Sequence, residues 1–168
     1  MWAYLQRRGK KSIVFTLIRL YLGVKWTMAG YEKIKGGSFN ATSFLKGALE
    51  KAKASGADVL VQDWWAVVIK YLFLPNVEIL NYLIPVTELI IGIFLLTGSF
   101  TRRSLQYAIA LNFLYLLSGS LHVNPQMIIL SLFLLKVKEN AATYGIDGWI
   151  FIPAMRKAAP PKPTSPPM

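Results

Sequence analysis

The chain has 168 residues, 54% hydrophobic and 16% charged, with a mean hydropathy of +0.42 and a net charge of +11. It has no cysteine and one histidine, which excludes disulfides, thiol redox pairs, iron–sulfur clusters and thiolate metal sites built within the chain. The bases gather at the ends of long apolar blocks, as in Arg7-Arg8-Gly9-Lys10-Lys11 and Arg102-Arg103, which is membrane topology signalling and argues against a nucleic-acid partner.

In chain order, the blocks predict four spanning helices at about 12–32, 77–97, 104–121 and 125–142. The first follows a basic stretch as a signal peptide does, but Arg19 and Lys25 interrupt it and no small-residue cleavage site is clear, so a retained helix is expected. The 33–75 connection predicts two short interfacial helices. Thr42 would cap SFLKGALEKAKA, and Asp63 would cap WWAVVIKYLFL before Pro75, with Trp64 and Trp65 at the outer interface. The third and fourth spans are joined by a few residues around His122, which suits a tight antiparallel hairpin with Pro125 in the next first turn. Lys and Arg near the other helix ends place both termini in the cytoplasm. The expected fold is therefore all-α, an integral-membrane four-helix bundle over 1–153, followed by a disordered Pro-rich tail over 154–168.

A recurring spacing marks one face of three helices. Arg19, Gly23, Trp26, Gly30 and Lys33 fall at steps of four and three; so do Asn81, Pro85, Glu88 and Gly92, and again Ala108, Asn112, Tyr115, Gly119 and His122. Small residues on such a face let helices approach, and polar ones bond across the gap. Glu88 lies in the middle of VEILNYLIPVTELIIGIFLLT, a run about as long as the ~30 Å bilayer core. A carboxylate at that depth needs a partner or a proton. Counted from the cytoplasmic helix ends, Arg19, Glu88 and Asn112 fall at similar depth, which predicts an Arg19–Glu88 pair with Asn112 beside it. A second cluster of Lys33, Asn81, His122 and Asn124 is expected at the outer end, near Glu32. Fixing helix register and serving a ligand or proton are both open readings of the pair.

The segment RLYLGVKWTMAGYEKI resembles the first-helix signature of DoxX-type membrane proteins, with Arg19, Gly23, Ala29-Gly30 and Lys33 in place. PVTELIIGIFLLTGSFTR resembles that family's second block, with Glu88, Gly92 and Gly98. Asn124-Pro125 and the late YGIDGW, with Gly145 and Asp147, match its remaining marks. The resemblance spans about residues 12–153. It implies a prokaryotic plasma-membrane protein linked to oxidoreduction, similar to the small subunit of thiosulfate:quinone oxidoreductase or to subunits of redox-defence complexes. The expectation is a quinone-interacting subunit with no covalent cofactor and no metal. Glu88 and Arg19 would exchange protons with the head group, with Asn112, Tyr115, Trp26, Lys33, Asn81, His122 and Asn124 as binding groups. Its partners would be the bilayer, a quinone and a redox enzyme. A non-catalytic scaffold and a proton-coupled solute carrier remain as alternatives.

Overall fold

The computed structural model describes residues 10–37, 39–53, 60–137 and 141–149, and among these every regular element is helical. The Pro-rich tail lies outside the described residues. Helix α1 runs Lys10–Lys35, α2 Ala41–Lys53 and α3 Asp63–Val68, continued by a wider turn over Ile69–Phe73. Then come α4 (Val77–Thr97), α5 (Thr101–Leu117) and α6 (Asn124–Lys136). The segments Ser12–Lys35 and Val77–Thr97 are long and apolar enough to cross a membrane; α6 is apolar but shorter.

Four of these helices share one core. Leu22 and Trp26 of α1, Ile91 and Leu95 of α4, Leu105 and Ala108 of α5, and Met127 and Leu134 of α6 are buried together. The opposite faces stay apolar and exposed, for example Leu17, Tyr82, Tyr107 and Ile129. A second, smaller core is built by α2 and α3 over the ends of α4 and α5. It holds Leu45, Val61, Trp65 and Ile69, with Leu80 and Leu117 packed against it. Hydrogen bonds tie this cover down, among them Trp65 Nε1 donating to Ser118 Oγ at 3.0 Å and Lys51 Nζ donating to the Gly119 carbonyl at 2.8 Å.

Several expected details differ. Trp64 is exposed as expected, but Trp65 is buried in the cover. The start of α2 is capped by Asn40 rather than Thr42: the Asn40 Oδ1 accepts the Thr42 N–H at 2.8 Å. Asp63 is the first helical residue of α3, after Gln62. The third helix begins three residues earlier than expected, and the fourth ends at Lys136.

The tightest packing is between α1 and α4, which run antiparallel. A Cβ on Gly30 would lie 2.6 Å from the Leu89 nitrogen and 2.7 Å from the Pro85 carbonyl oxygen. A Cβ on Gly92 would lie 2.7 Å from Thr27 Cα, and one on Gly23 would lie 3.0 Å from the Leu96 nitrogen. Backbone cannot yield as a flexible side chain can, so Gly30→Ala is expected to destabilise by about 1–3 kcal/mol. Gly47, in the middle of α2, has open space around it. Gly47→Ala is therefore the control, neutral or slightly stabilising because alanine favours a helix interior. Thermal unfolding of both variants beside the parent chain measures the difference, and equal unfolding temperatures would refute close packing at Gly30.

Candidate functional site

The α1–α4 register decides which charges meet. Gly30 sits beside Leu89, Thr27 beside Gly92 and Gly23 beside Leu96, while Arg19 reaches Gly98. Arg19 and Glu88 are thus separated by about eleven residues of rise, roughly 16 Å. The expected Arg19–Glu88 pair does not form. Counting depth from helix ends failed because α1 extends well past the end of α4 on that side.

Glu88, 1% exposed, pairs instead with Lys33. Lys33 Nζ donates to both carboxylate oxygens at 2.6 Å, and the Tyr115 hydroxyl donates to Oε1 at 2.6 Å. The Lys33 ammonium also lies 5.6 Å from the centre of the Tyr115 ring and 5.3 Å from that of Phe39. One carboxylate is therefore held by helices α1 and α5 as well as by its own.

These groups face a cavity of about 420 Å³. Trp26, Lys33, Glu88, Asn112, Tyr115, His122 and Asn124 line it, so seven of the nine expected site residues come together. The two expected clusters are here one, because Lys33, His122 and Asn124 join Glu88 and Asn112. Lys25, Glu32, Phe39, Phe44, Ile84 and Met127 also line it. The aromatic and aliphatic members of that wall escaped sequence reading, since nothing separates them from ordinary packing residues.

Two buried polar groups stand out in the lining. Asn112 is 1% exposed, and neither its amide nitrogen nor its amide oxygen has a hydrogen-bond partner among the described residues. Trp26 is 2% exposed and its indole N–H is likewise unpartnered. A buried polar atom without a partner is costly, and natural proteins tolerate it chiefly where something else supplies the bond. Asn124 is occupied: its amide donates to Ser120 O at 2.8 Å and Ser120 Oγ at 3.0 Å, bracing the turn before α6. His122 is exposed at the rim. Asn81 is not in the cavity; its Oδ1 accepts the Ala41 N–H at 2.7 Å and holds the start of α2.

Arg19 belongs to a different construction at the far end. It is 1% exposed and Nη2 donates to the Tyr144 carbonyl at 2.9 Å. Its guanidinium lies against Gly98 and Gly145, whose backbones touch: a Cβ on Gly98 would be 2.8 Å from Gly145 Cα. Gly98 has φ +69°, and Phe100, two residues on, also has a positive φ of 48°. Such a turn is stable only if its surroundings hold it. Asp147 does so. Its carboxylate accepts the Phe100 N–H at 2.8 Å and the Thr101 N–H at 2.7 Å, and its own N–H donates to the Gly98 carbonyl at 2.9 Å. The acid caps α5 from nearly fifty residues away, a role no local spacing reveals.

A protein that turns apolar side chains outward on its long helices and polar ones inward belongs to the membrane-associated class. The DoxX family model matches residues 14–122, well over half of the chain, and the chain belongs to the DoxX family. The match covers α1 to α5, while α6 and the Asp147 turn lie beyond it. No curated protein and no solved structure gives a significant match.

Three substitutions separate the two constructions. Lys33→Met leaves a buried carboxylate without its cation and is expected to destabilise by about 3 kcal/mol; adding Glu88→Leu should recover much of that loss. Asp147→Ala removes the distant cap at a cost of about 1 kcal/mol and should not couple to Lys33→Met. Unfolding of the single and double variants tests both, and a double variant no better than Lys33→Met alone would contradict the pair.

Proposed function

We propose that this chain is a quinone-interacting subunit of a membrane oxidoreductase, with the Glu88 cavity as the head-group site. In this reading α1, α4, α5 and α6 form a multi-pass four-helix bundle in a prokaryotic plasma membrane. Both termini are cytoplasmic, and the α2–α3 cover lies at the outer end. Asn112 carries the reading: a fully buried amide with both polar atoms unpartnered, facing a cavity of ligand size. A quinone ring offers what such a wall lacks. Its carbonyl oxygens accept hydrogen bonds, and Asn112 Nδ2 and Trp26 Nε1 are donors without a partner among the described residues. Its ring faces are apolar, as are Phe39, Phe44 and Met127.

Reducing a quinone to a quinol takes two electrons and two protons. Within this chain, Lys33, Glu88 and Tyr115 form a continuous hydrogen-bonded set along which a proton can pass to the cavity. The electrons are assigned to a partner redox protein. Arg19, which the sequence alone pairs with Glu88, has no part in this scheme and serves the turn at the other end.

The scaffold reading draws on a different observation. Glu88 has both carboxylate oxygens bonded, by Lys33 and Tyr115, as a register lock would. Asn112→Leu distinguishes the two. In native-lipid nanodiscs the wild type should carry close to one quinone per chain by mass spectrometry. Asn112→Leu and Glu88→Gln should lose most of it, and Asn112→Leu should fold at least as stably as the parent because no bond is broken. A wild type that carries no quinone, or an Asn112→Leu chain that retains it fully, sends the cavity back to a packing role.

A further inference from the structure

We infer that the seam between α4 and α5 is a groove for the isoprenoid tail of the molecule whose head lies in the Glu88 cavity, an inference that rests on the quinone reading above. Two spaces lie along this seam. The one under α2, about 200 Å³, is walled by Leu45, Phe73, Leu80, Leu83, Leu111 and Leu114. The one beyond it, about 380 Å³, lies between Ile90, Phe94, Phe100 and Tyr107. Thr87 lines both, so the two spaces follow each other along the helices. From Ser118 at one end to Arg103 at the other, α5 rises by about 22 Å, room for several isoprenoid units.

The groove adjoins the head-group site. Phe44, Ile84 and Tyr115 line the upper space and the polar cavity alike. A single layer of side chains therefore divides a polar chamber from an apolar channel. Tyr115 faces both: its hydroxyl bonds Glu88 at 2.6 Å, while its ring meets Phe44 edge-on at 5.9 Å. Phe44 sits on α2, the cover helix, so the divider is built partly from the element that closes the outer end. The seam is open along its outer side, where Leu83, Ile90 and Tyr107 are exposed. A water-soluble substrate has no use for such a channel. An amphiphile with a carbonyl-bearing ring and a flexible apolar tail matches both halves.

The test uses the full chain in nanodiscs and two probes: 2,3-dimethoxy-5-methylbenzoquinone without a tail, and the same ring carrying two isoprenoid units. Both are set to equal mole fraction in the bilayer, so that partitioning does not mimic binding, and quenching of tryptophan emission is read. Thr87→Trp fills the junction of the two spaces; Ile90→Trp serves if that variant fails to fold. Affinity for the tailed probe should fall about tenfold, the low end of what overpacking a filled space costs, while the tail-less probe binds as before. Equal affinity of the two probes, unchanged by either substitution, overturns the groove and leaves the head-group site standing. Failure of the tail-less probe to bind the wild type overturns the quinone reading and the groove with it. A phospholipid, and no quinone, co-extracted from the wild type and lost in Thr87→Trp overturns the inference in favour of a structural lipid.

Discussion

The glycine-lined contact between α1 and α4 is the constraint on which the remaining geometry hangs. Gly23, Gly30 and Gly92 bring two backbones so close that no side chain fits between them. Lipid tails are as apolar as leucine, so helices in a bilayer gain little from burying more of it and rely on such close contact and on hydrogen bonds. The close contact also removes freedom to slide. Once Gly30 is seated against Leu89 and Gly92 against Thr27, Lys33 is within reach of Glu88 and Arg19 is beside Gly98. The charges do not choose the register alone; they are placed by it.

That dependence explains what could be read from the sequence and what could not. The four-and-three spacing on α1, α4 and α5 marked inward faces, since Arg19, Trp26, Glu88, Ala108 and Asn112 are all buried, but Gly119 and His122 lie beyond the end of α5 and His122 is exposed. Periodicity is a property of one helix, and one helix is enough to read it. Pairing is a property of two, and it requires knowing where each begins relative to the other. Helix α1 overhangs α4 at one end, so residues equally far from their helix ends are not at equal depth. Lysine and arginine look interchangeable on a sequence at this level, yet they serve opposite ends of the molecule here. Asp147 is the plainest case. It was visible as part of YGIDGW, but its task is to accept the N–H groups of Phe100 and Thr101, and no pattern within its own segment specifies that.

The two inward-facing basic residues, Arg19 buried and Lys33 with a quarter of its side chain exposed, are accommodated in different ways. Lys33 meets a full countercharge, and its ammonium lies near two aromatic rings as well. Arg19 meets backbone: the Tyr144 carbonyl and the packed Gly98–Gly145 contact. A guanidinium spreads its charge over a plane and is less strongly hydrated than an ammonium, which suits it to a crowded backbone turn. A lysine is a compact point charge with three rotatable donors, which suits it to a site where both oxygens of one carboxylate must be bonded. The chemistry of each side chain agrees with where the register puts it.

The placement of polarity across α5 extends the argument from packing to ligand. Asn112 and Tyr115 face the chamber shared with α1 and α6, whereas Leu111 and Leu114 face the seam with α4. Adjacent residues on one helix thus serve two unlike spaces, and Tyr115 borders both. A bundle built only for stability would fill the chamber and satisfy Asn112, because an apolar residue of the same size there would remove two unpaired polar atoms. The chain keeps the amide, keeps the space beside it, and leaves an apolar channel one side chain away. Each feature alone has a packing explanation; their coincidence on adjacent faces of α5 is what supports the proposal of an amphiphile with its polar ring turned toward Glu88.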